Sequence, residues 1–320
     1  MKAVILAGGL GTRLRPLTYR IPKPLVPVAG RPLIVRIIDS LPSSVDTVVL
    51  AVSYMKEAVE EYFRVNPCGK KVLIVNETTP LGTGGALKNV AEHLDSTFIA
   101  LNGDCLSTLD FKVMVRQHRE NGGIGTIALW EVEDPSAFGV VALDKGSRIL
   151  DFQEKPQREE ARSNLINAGA YVFEPEILDY IGKGHVSMER EVFPNLLEEG
   201  LFGFRFQGFW IDCGTRANLL AAQRAVLERE GSGARGGHAD PACQLSAPYL
   251  TLEATVGRCS LGPNVVVEGA TIGDGASVRN SLIMRGAQVG SNAVVENCII
   301  GPGMMVGKDT QVSDTILAEK

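Results

Sequence analysis

The chain has 320 residues, of which 45% are hydrophobic and 22% charged, and it carries a formal net charge of −5. These values are typical of a globular protein of about two domains, and the acidic balance argues against a nucleic-acid-binding protein, which would present a broad basic face. The apolar runs are short and interrupted, so neither a membrane span nor a membrane partner is expected, and six scattered cysteines favour free thiols in a reducing cytoplasm.

Strand-like and helix-like stretches alternate over the first 230 residues. Continuous apolar runs predict buried parallel strands, and the stretches between them have helical spacing. The predicted strands lie at 3–7, 47–53, 71–77 and 97–104, and the predicted helices at 55–63, 85–94, 111–120 and 216–230. This order predicts an α/β fold with a Rossmann-like, mostly parallel sheet, which binds ligands beyond the carboxyl ends of its strands.

Three further stretches, GTIALWEV, FGVVALD and RILDFQEK, have little helix between them. They are expected to leave the parallel pattern and to form an antiparallel edge of the sheet or a lid over its binding site. The helix at 216–230 would end this domain, which is predicted to span residues 1–230. The segment 231–248 is rich in Gly and has few large apolar residues, so it is predicted to be a linker.

The last part of the chain has a short sequence period. Aliphatic residues recur with a step of six, shortened to five in two places, at Val266, Ile272, Val278, Ile283, Val289, Val294, Ile300, Val306 and Val312. This period predicts a short left-handed parallel β-helix over residues 249–320, whereas the strands of a β-sandwich, the alternative, do not keep a six-residue period. A short β-helix has open ends and flat faces, so we expect a homo-oligomer that assembles through it.

The first predicted strand runs into the glycine-rich loop GGLGTR, and no Asp or Glu occurs before Asp39. Residues 6–25 carry four cations, Arg13, Arg15, Arg20 and Lys23. Glycines let backbone N–H groups approach a phosphate closely, and a carboxylate about 4 Å from a phosphate would cost roughly 4 kcal/mol at an effective dielectric constant of about 20. The segment therefore favours a phosphate cradle that uses Arg13 and Lys23, although a plain turn with solvated cations remains open for GGLGTR taken alone.

The string G-G-x-G-T-R-L-x-P-L-T-x-x-x-P-K-P-L-x-P-V, unbroken from Gly8 to Val28, closely resembles the signature of the sugar-phosphate nucleotidyltransferases, or NDP-sugar pyrophosphorylases. Within that family, SMEREVFPNL together with GFWIDCGT is most similar to the mannose-1-phosphate guanylyltransferases. A hexapeptide tail is a common companion in the family, and the resemblance covers about residues 1–230. Its further motifs are LGTGGAL at 81–87, NGD at 102–104, FGVV at 138–141, QEKP at 153–156, NAG at 167–169 and GFWIDCGT at 208–215.

The resemblance implies a reaction in which a nucleoside triphosphate and a sugar 1-phosphate give an NDP-sugar and pyrophosphate. It makes Arg13 and Lys23 the catalytic side chains. It assigns nucleotide binding to Leu6, Ala7, Gly8, Gly9, Gly11, Thr12, Arg13, Glu77, Gly82 and Thr83, and sugar-phosphate binding to Gly139, Glu154, Lys155, Asn167 and Gly169. For QEKP, the alternative is a charged hairpin end.

Asp104 and Asp212 each end a predicted strand, where a parallel sheet places its site. The resemblance implies that the two carboxylates hold Mg²⁺ against the α-phosphate. A lone Asp at such a place is more often a turn or helix cap, and that is the alternative here. Cys105 and Cys213 follow the two aspartates where the family usually has aliphatic residues, but their small apolar side chains should not impair metal binding.

Glu77 bears on the choice of base, because relatives that use uracil or thymine tend to carry Gln at this place. An ionised Glu only accepts hydrogen bonds, and guanine offers two adjacent donors, N1–H and N2–H₂. Glu77 therefore favours GTP, unless it merely caps its strand and faces water. The alternative reaction is a UTP- or dTTP-dependent transfer to glucose 1-phosphate. Mannose as the sugar depends on the subfamily resemblance alone.

The sequence argues against two other functions. A noncatalytic regulatory subunit of the same fold would tend to lose the cationic or metal residues, and here Arg13, Lys23, Asp104 and Asp212 are all present. An acyltransferase built on the β-helix would need a histidine base, but no histidine follows His238. The sequence therefore favours the nucleotidyltransferase.

Overall fold

The computed structural model describes residues 1–320. The chain divides into two compact units. The first, called the sheet unit below, comprises Met1–Gly9 and Val35–Trp210, and the second, the β-helix unit, comprises Leu10–Ile34 and Ile211–Lys320. These limits differ from the predicted domain boundaries, because Leu10–Ile34, called the cationic loop below, belongs with the C-terminal part of the chain. No helix in either unit combines the length and the apolar character that crossing a membrane requires.

The strands of the first 230 residues are β1 (Lys2–Leu6), β2 (Pro27–Val28), β3 (Arg31–Pro32), β4 (Thr47–Val52), β5 (Lys71–Asn76), β6 (Phe98–Asn102), β7 (Cys105–Ser107), β8 (Gly125–Glu131), β9 (Gly139–Leu143), β10 (Ile149–Glu154), β11 (Leu165–Phe173), β12 (Leu201–Arg205) and β13 (Trp210–Asp212). The α-helices are α1 (Leu33–Ser40), α2 (Lys56–Val65), α3 (Gly82–Asn89), α4 (Phe111–Asn121) and α5 (Arg216–Glu230). Most of the other helical segments are short 3₁₀ turns, three of which lie in the cationic loop at Thr12–Leu14, Leu17–Tyr19 and Lys23–Leu25.

The sheet unit is built on a mixed sheet with the strand order β10-β9-β11-β6-β1-β4-β5. The four strands β5, β4, β1 and β6 are parallel, as their continuous apolar runs predict. Ala3, Val4 and Ile5 of β1 are fully buried, which shows that both faces of the sheet are covered. The prediction of a mostly parallel α/β sheet is therefore confirmed, and the carboxyl ends of these strands meet at one edge.

The later strands form the predicted antiparallel edge. Strand β11 runs antiparallel to β6, β8 runs antiparallel to β11, and β10 runs antiparallel to β9. Aromatic rings pack beneath them: Tyr171 stacks on Phe173 at 5.1 Å, and Phe173 meets Phe98 edge-on at 5.9 Å. This packed layer gives the strands that carry the predicted sugar-binding residues a rigid support.

The C-terminal strands coil into a parallel β-helix, which confirms the prediction from the hexapeptide period. Paired residues in successive turns lie 16 or 17 positions apart, as in Leu250 with Val266 and Leu282 with Ile299. Most of the periodic aliphatic side chains stack in one buried core, among them Ile272, Val278, Ile283, Val289, Ile300 and Val306. Val294 is an exception, because it is 37% exposed and its neighbour Val295 takes the buried position. Its strands are β14 (Gly233–Ala239), β15 (Gln244–Leu245), β16 (Tyr249–Val256), β17 (Ser260–Leu261), β18 (Val265–Glu268), β19 (Thr271–Ile272), β20 (Ser277–Arg279), β21 (Ser281–Ile283), β22 (Gln288–Val289), β23 (Val294–Glu296), β24 (Ile299–Ile300), β25 (Met305–Val306), β26 (Gln311–Ser313) and β27 (Ile316–Leu317).

The prediction that residues 231–248 form a linker was wrong. Strand β14 pairs in parallel with β16, and β15 pairs with β17, so the segment forms the first turn of the β-helix. Most of β14 is exposed, which agrees with the low apolar content of this segment. The edge of the next turn supplies the hydrogen-bonding partners for its backbone, so pairing does not require a large apolar surface.

The cationic loop packs onto the β-helix within the same unit. Gly30 has a φ of +80°, and a Cβ added there would lie 2.5 Å from Leu252 Cδ1 in β16. Near the end of the chain, Arg20 lies 3.6 Å from Glu319. The loop that carries Arg13 and Lys23 therefore shares its packing with the C-terminal strands rather than standing alone.

Candidate functional site

In the sheet unit, the ends of β1, β4 and β5 bring Gly8, Ser53 and Glu77 side by side. The Glu77 N–H donates to Val52 O at 2.8 Å, which continues the β5 pairing by one residue. The Ser53 hydroxyl donates to the Gly8 carbonyl, and a Cβ added at Gly8 would lie 3.0 Å from Glu77 Oε1. The start of the glycine loop and the predicted base-reading carboxylate are therefore neighbours.

Glu77 is buried, with 7% of its surface exposed. The alternative of a strand cap that faces water is therefore wrong. Burial raises the pKa of its carboxyl above the usual value, and a hydrogen bond from the Leu81 N–H opposes that rise. A desolvated carboxylate beside a glycine can accept hydrogen bonds from a flat ligand that approaches the backbone.

The N-terminus of α3 packs closely against residues 184–188. The Gly84 and Gly85 N–H groups donate to Val186 O at 2.9 and 3.2 Å. The Thr83 hydroxyl donates to Glu189 Oε2 at 2.7 Å and accepts from the Met188 N–H at 2.9 Å. Thr83, which the resemblance assigns to the nucleotide, thus uses its hydroxyl to hold the segment that carries Glu189.

Glu154 and Lys155 lie at the end of β10, where their side chains pair at 3.6 Å. Burial raises the pKa of the Glu154 carboxyl, the Lys155 ammonium opposes the rise, and the negative charge of Glu189 adds to it. A Cβ added at Gly139 would lie 3.3 Å from Glu154 Oε2 and 2.6 Å from the Phe152 ring. Gly139 therefore leaves the space in which the Glu154 carboxylate lies.

Asn167 and Gly169 lie in a turn-like irregularity of β11, where the pairing of this strand with β8 shifts register. Asn167 donates from Nδ2 to the Tyr171 hydroxyl at 2.9 Å and accepts from the Gly169 N–H at 3.0 Å. Gly169 has a φ of +71°, and an added Cβ would lie 2.5 Å from Asn102 Nδ2. Only glycine satisfies both constraints, and the turn sets the orientation of the Asn167 amide.

Asp104 follows β6 within the sheet unit. The Gly103 N–H donates to Leu6 O at 2.9 Å, which ties the turn before Asp104 to the end of β1. A Cβ added at Gly103 would lie 2.9 Å from the same oxygen, so the turn depends on glycine. The Cys105 thiol lies 3.6 Å from Asp104 Oδ1.

In the β-helix unit, Arg13 lies beside Asp212, with 3.6 Å between Nη2 and Oδ2. The other carboxylate oxygen of Asp212 accepts from the Gly214 N–H at 2.8 Å, and the Asp212 carbonyl accepts from Asn218 Nδ2 at 2.7 Å. A Cβ added at Gly214 would overlap Arg13 Nη2. The absence of a side chain at residue 214 therefore lets the guanidinium lie against the backbone next to the aspartate.

The rest of the loop folds around Gly11, whose φ is +62°. The Thr18 hydroxyl donates to Gly11 O at 2.8 Å. A Cβ at Gly11 would lie 2.9 Å from Thr18 Cγ2 and 3.2 Å from Lys23 Cβ. Lys23 is 8% exposed, whereas the Arg13 side chain is 59% exposed. The two predicted catalytic cations thus differ in exposure: Lys23 is enclosed by packing, whereas more than half of the Arg13 side chain is accessible to solvent.

Three residues of these sites were not singled out from the sequence: Ser53, Glu189 and Gly214. Ser53 ends the second apolar run, where the strand-end rule used for Asp104 and Asp212 applies equally. Glu189 lies within SMEREVFPNL and Gly214 within GFWIDCGT, the two stretches that carry the subfamily resemblance. Their contacts join segments that are far apart in the chain, and for these no local signal exists.

Asp104 and Asp212 are the carboxylates that the resemblance assigns to a magnesium ion. No group of three or more His, Cys, Asp or Glu side chains comes together in either unit in a way that could hold a metal ion. Mg²⁺ does not need such a cage, because it is usually bound by one or two carboxylates together with substrate phosphates and water. Asp104 and Asp212 supply carboxylate oxygens of this kind, so their chemistry fits the ion.

Residues 2–229 match the protein family described as Nucleotidyl transferase, and residues 249–320 match the one described as GMPPB C-terminal domain. Mannose-1-phosphate guanylyltransferase catalytic subunit beta of Xenopus tropicalis is 41% identical over 236 residues, which are 71% of this chain and 65% of that protein. The mannose-1-phosphate guanylyltransferase of Mycobacterium tuberculosis is 38% identical over 291 residues, which are 86% of this chain and 80% of that protein. The match to the frog protein thus spans just under two thirds of its length.

Among solved structures, HddC from Yersinia pseudotuberculosis complexed with GMP-PN is similar with a TM-score of 0.59 and 29% sequence identity. The similarity covers 72% of this chain and 99% of HddC. Nearly all of that protein therefore corresponds to less than three quarters of this chain.

Proposed function

Because the chain belongs to the nucleotidyl transferase family, we propose that it transfers a nucleotidyl group from a nucleoside triphosphate to a sugar 1-phosphate, with release of pyrophosphate. The observation that carries this proposal is the contact between the buried Glu77 carboxylate and Gly8, the first residue of the glycine loop. A base-reading acceptor is thereby fixed next to backbone that can approach a phosphate.

The proposed chemistry is an in-line attack by a phosphate oxygen of the sugar 1-phosphate on the α-phosphorus. The P–O bond to the β-phosphate breaks, and pyrophosphate leaves. The attacking oxygen is already an anion, so no strong general base is required, and the rate depends on alignment and on neutralisation of charge. We assign Arg13 to the departing pyrophosphate and Lys23 to the phosphates near the reacting centre. Mg²⁺, held by Asp104 and Asp212, would supply further neutralisation of the phosphate charge.

We propose GTP as the nucleotide. Glu77 can accept from both N1–H and N2–H₂ of guanine, whereas the O4 and N3–H edge of a pyrimidine requires a partner that also donates. The burial of Glu77 strengthens the case, because a desolvated acceptor rejects a base that leaves it without a donor. The names of the frog and mycobacterial relatives support the same choice.

We propose mannose 1-phosphate as the acceptor, on the names of the same relatives. Glu154 would accept hydroxyl hydrogens of the sugar, and Lys155 would pair with the 1-phosphate. Asn167 and Gly169 would shape the pocket through their turn. Thr83 holds the Glu189 carboxylate at 2.7 Å, and its charge contributes to the raised pKa of Glu154, so we place Glu189 beside the proposed sugar site.

Glu77→Gln tests the base assignment and the function together. We expect wild-type protein to release pyrophosphate fastest with GTP and mannose 1-phosphate in a panel of four nucleoside triphosphates and three sugar 1-phosphates (mannose, glucose and N-acetylglucosamine). The variant should reduce the kcat/KM ratio of GTP to UTP by about 10–100-fold, because one bidentate contact is worth roughly 1–3 kcal/mol of discrimination.

Glu92→Gln is the matched control, because Glu92 is an exposed glutamate outside the proposed sites. An unchanged GTP preference in Glu77→Gln would remove the base assignment. If wild-type protein turns over no pair of substrates, the proposed function is wrong.

We also propose that the chain forms a homo-oligomer through the β-helix. Exposed apolar side chains on its strands include Leu245 (42% exposed), Val294 (37%) and Met305 (68%), and burying such a surface would stabilise association. Light scattering should give at least twice the chain mass of 34.3 kDa. A mass of one chain at micromolar concentration would contradict the proposal.

A further inference from the structure

One corner of the β-helix holds a column of amide and carboxylate side chains, called the ladder below: Asn264, Asn280, Asn297 and Asp314. All four have a left-handed backbone, with φ between 41° and 55°. Asn264 Nδ2 donates to Asn280 Oδ1, Asn280 Nδ2 to Asn297 Oδ1 at 2.7 Å, and Asn297 Nδ2 to Asp314 Oδ1 at 3.3 Å. Asparagine suits this column because it tolerates the left-handed region and carries both a donor and an acceptor.

Both ends of the ladder bind helix α5. At one end, Asn264 Nδ2 donates to Leu220 O at 2.9 Å, and the buried Gln223 donates to Asn264 Oδ1 at 3.2 Å. At the other end, Arg216 Nη2 donates to Asp314 Oδ1 at 3.2 Å. Seven residues of helix cover about 10 Å, and three turns of parallel strands cover about 14 Å, so the helix and the ladder have similar lengths.

The first turn of α5 carries the residues next to Asp212. The N-cap Thr215 accepts from the Asn218 N–H at 3.2 Å, and Asn218 Nδ2 donates to the Asp212 carbonyl at 2.7 Å. Asp212 in turn lies 3.6 Å from Arg13. A continuous set of contacts therefore runs from Asp314 through α5 to the proposed phosphate and metal residues, all within the β-helix unit.

We propose that the ladder positions the start of α5, and through it Asp212 and Arg13, and that Arg216 and Asp314 are positioning residues for the transfer reaction. The inference depends on the proposed function. A reaction driven by alignment and charge neutralisation is sensitive to displacements of about 1 Å, so a small shift of the Asp212 turn has a large effect on rate.

A role in stability alone does not explain the arginine. Arg216 Nη1 is buried without a hydrogen-bond partner, and an orphaned buried donor destabilises a fold. Helix α5 already buries Leu219, Leu220 and Leu227, and these contacts hold it against its surroundings. The distinctive effect of the pair Arg216–Asp314 is to set the position of the helix along its axis, which apolar packing defines poorly.

The test compares Arg216→Ala with Arg216→Lys and with Arg224→Ala, each in the full chain. Arg224 lies on the same helix and pairs only with Glu228 on that helix, at 2.8 Å, so it is a matched control. We expect Arg216→Ala to lower kcat about 10-fold and to weaken Mn²⁺ binding in the presence of GTP several-fold, with KM for the sugar phosphate and the melting temperature almost unchanged. Amide hydrogen exchange over residues 211–218 should accelerate. Arg216→Lys should recover at least half of each loss, and Arg224→Ala should resemble the wild type.

Three results would overturn the inference. Arg216→Ala could equal Arg224→Ala in kcat and in Mn²⁺ affinity, or amide exchange over residues 211–218 could accelerate while kcat and Mn²⁺ affinity stay unchanged. The third such result is a fall in melting temperature large enough to account for the whole loss of kcat. If the wild type has no turnover, the proposed function fails, and Mn²⁺ affinity together with hydrogen exchange still decides whether Arg216 positions the Asp212 turn.

Discussion

Asp212→Asn should lower kcat by about 10²–10³-fold while leaving the fold intact, as expected when one preorganised electrostatic contact is removed from an active site. The asparagine can still accept from the Gly214 N–H through Oδ1, so the turn before α5 keeps its hydrogen bond. The charge that faces Arg13 is lost, together with one of the two carboxylates proposed for Mg²⁺. The measurements are steady-state kinetics with GTP and mannose 1-phosphate, Mn²⁺ affinity, and circular dichroism.

Asp134→Asn is the control for this substitution. Asp134 makes the same kind of local contact, in which Oδ1 accepts from the N–H two residues later, Ser136, at 3.0 Å, but it lies on an exposed turn outside the proposed sites. It should retain wild-type kcat and Mn²⁺ affinity. If Asp212→Asn also keeps its activity, then Asp212 is only a turn residue, which is the purely structural role that a lone aspartate at a strand end most often has.

Strand positions in the sheet unit could be predicted because burial on both faces of a parallel sheet forces a continuous apolar run. The run at residues 3–7 contains the fully buried Ala3, Val4 and Ile5, and similar runs gave β4 and β6 to within one or two residues. The β-helix was predictable for a related reason. Each turn must return an aliphatic side chain to the same inner column, so the period in the sequence records the period in space.

The first turn of the β-helix was missed because its strands depend on the neighbouring turn rather than on their own side chains. In β14 the residues are mostly exposed, and Gly236 and Gly237 have left-handed φ angles of 68° and 77°. Such a composition also suits a flexible linker. Local sequence cannot distinguish the two, because the deciding partner is the backbone of β16, which lies later in the chain.

Pairs of residues at adjacent strand ends were more predictable than contacts between loops. Gly8 and Glu77 each follow a parallel strand, and the carboxyl ends of such strands meet at one edge, where a Cβ added at Gly8 would lie 3.0 Å from Glu77 Oε1. The hydrogen bond between Thr83 and Glu189 joins residues 106 positions apart. Neither residue follows a strand, so only the folded chain reveals that Thr83 supports the segment with Glu189.

Arg13→Ala should lower kcat by about 10²–10³-fold, because it removes the exposed cation that we assign to the departing pyrophosphate. Arg15→Ala is the control on the same loop, since the Arg15 guanidinium lies over the Tyr19 ring, with its centroid at 4.8 Å. It should retain most of the activity. A loss in Arg15→Ala as large as that in Arg13→Ala would indicate that total loop charge, rather than the placement of one side chain, determines the rate.

Gly214→Ala separates the placement of Arg13 from its presence. The added methyl group would overlap Arg13 Nη2 and lie 2.8 Å from Asp212 Oδ1, so both side chains must shift, which their flexible ends can do without unfolding the protein. We expect kcat to fall about 10–100-fold with an unchanged melting temperature, because a misplaced catalytic group can cost about 10²-fold. The double variant Arg13→Ala/Gly214→Ala should be no slower than Arg13→Ala alone, since residues that act through one contact are not additive. Fully multiplied losses in the double variant would show that the methyl group acts through Asp212 rather than through the placement of Arg13, and the proposed alignment of Arg13 by Gly214 would then be wrong.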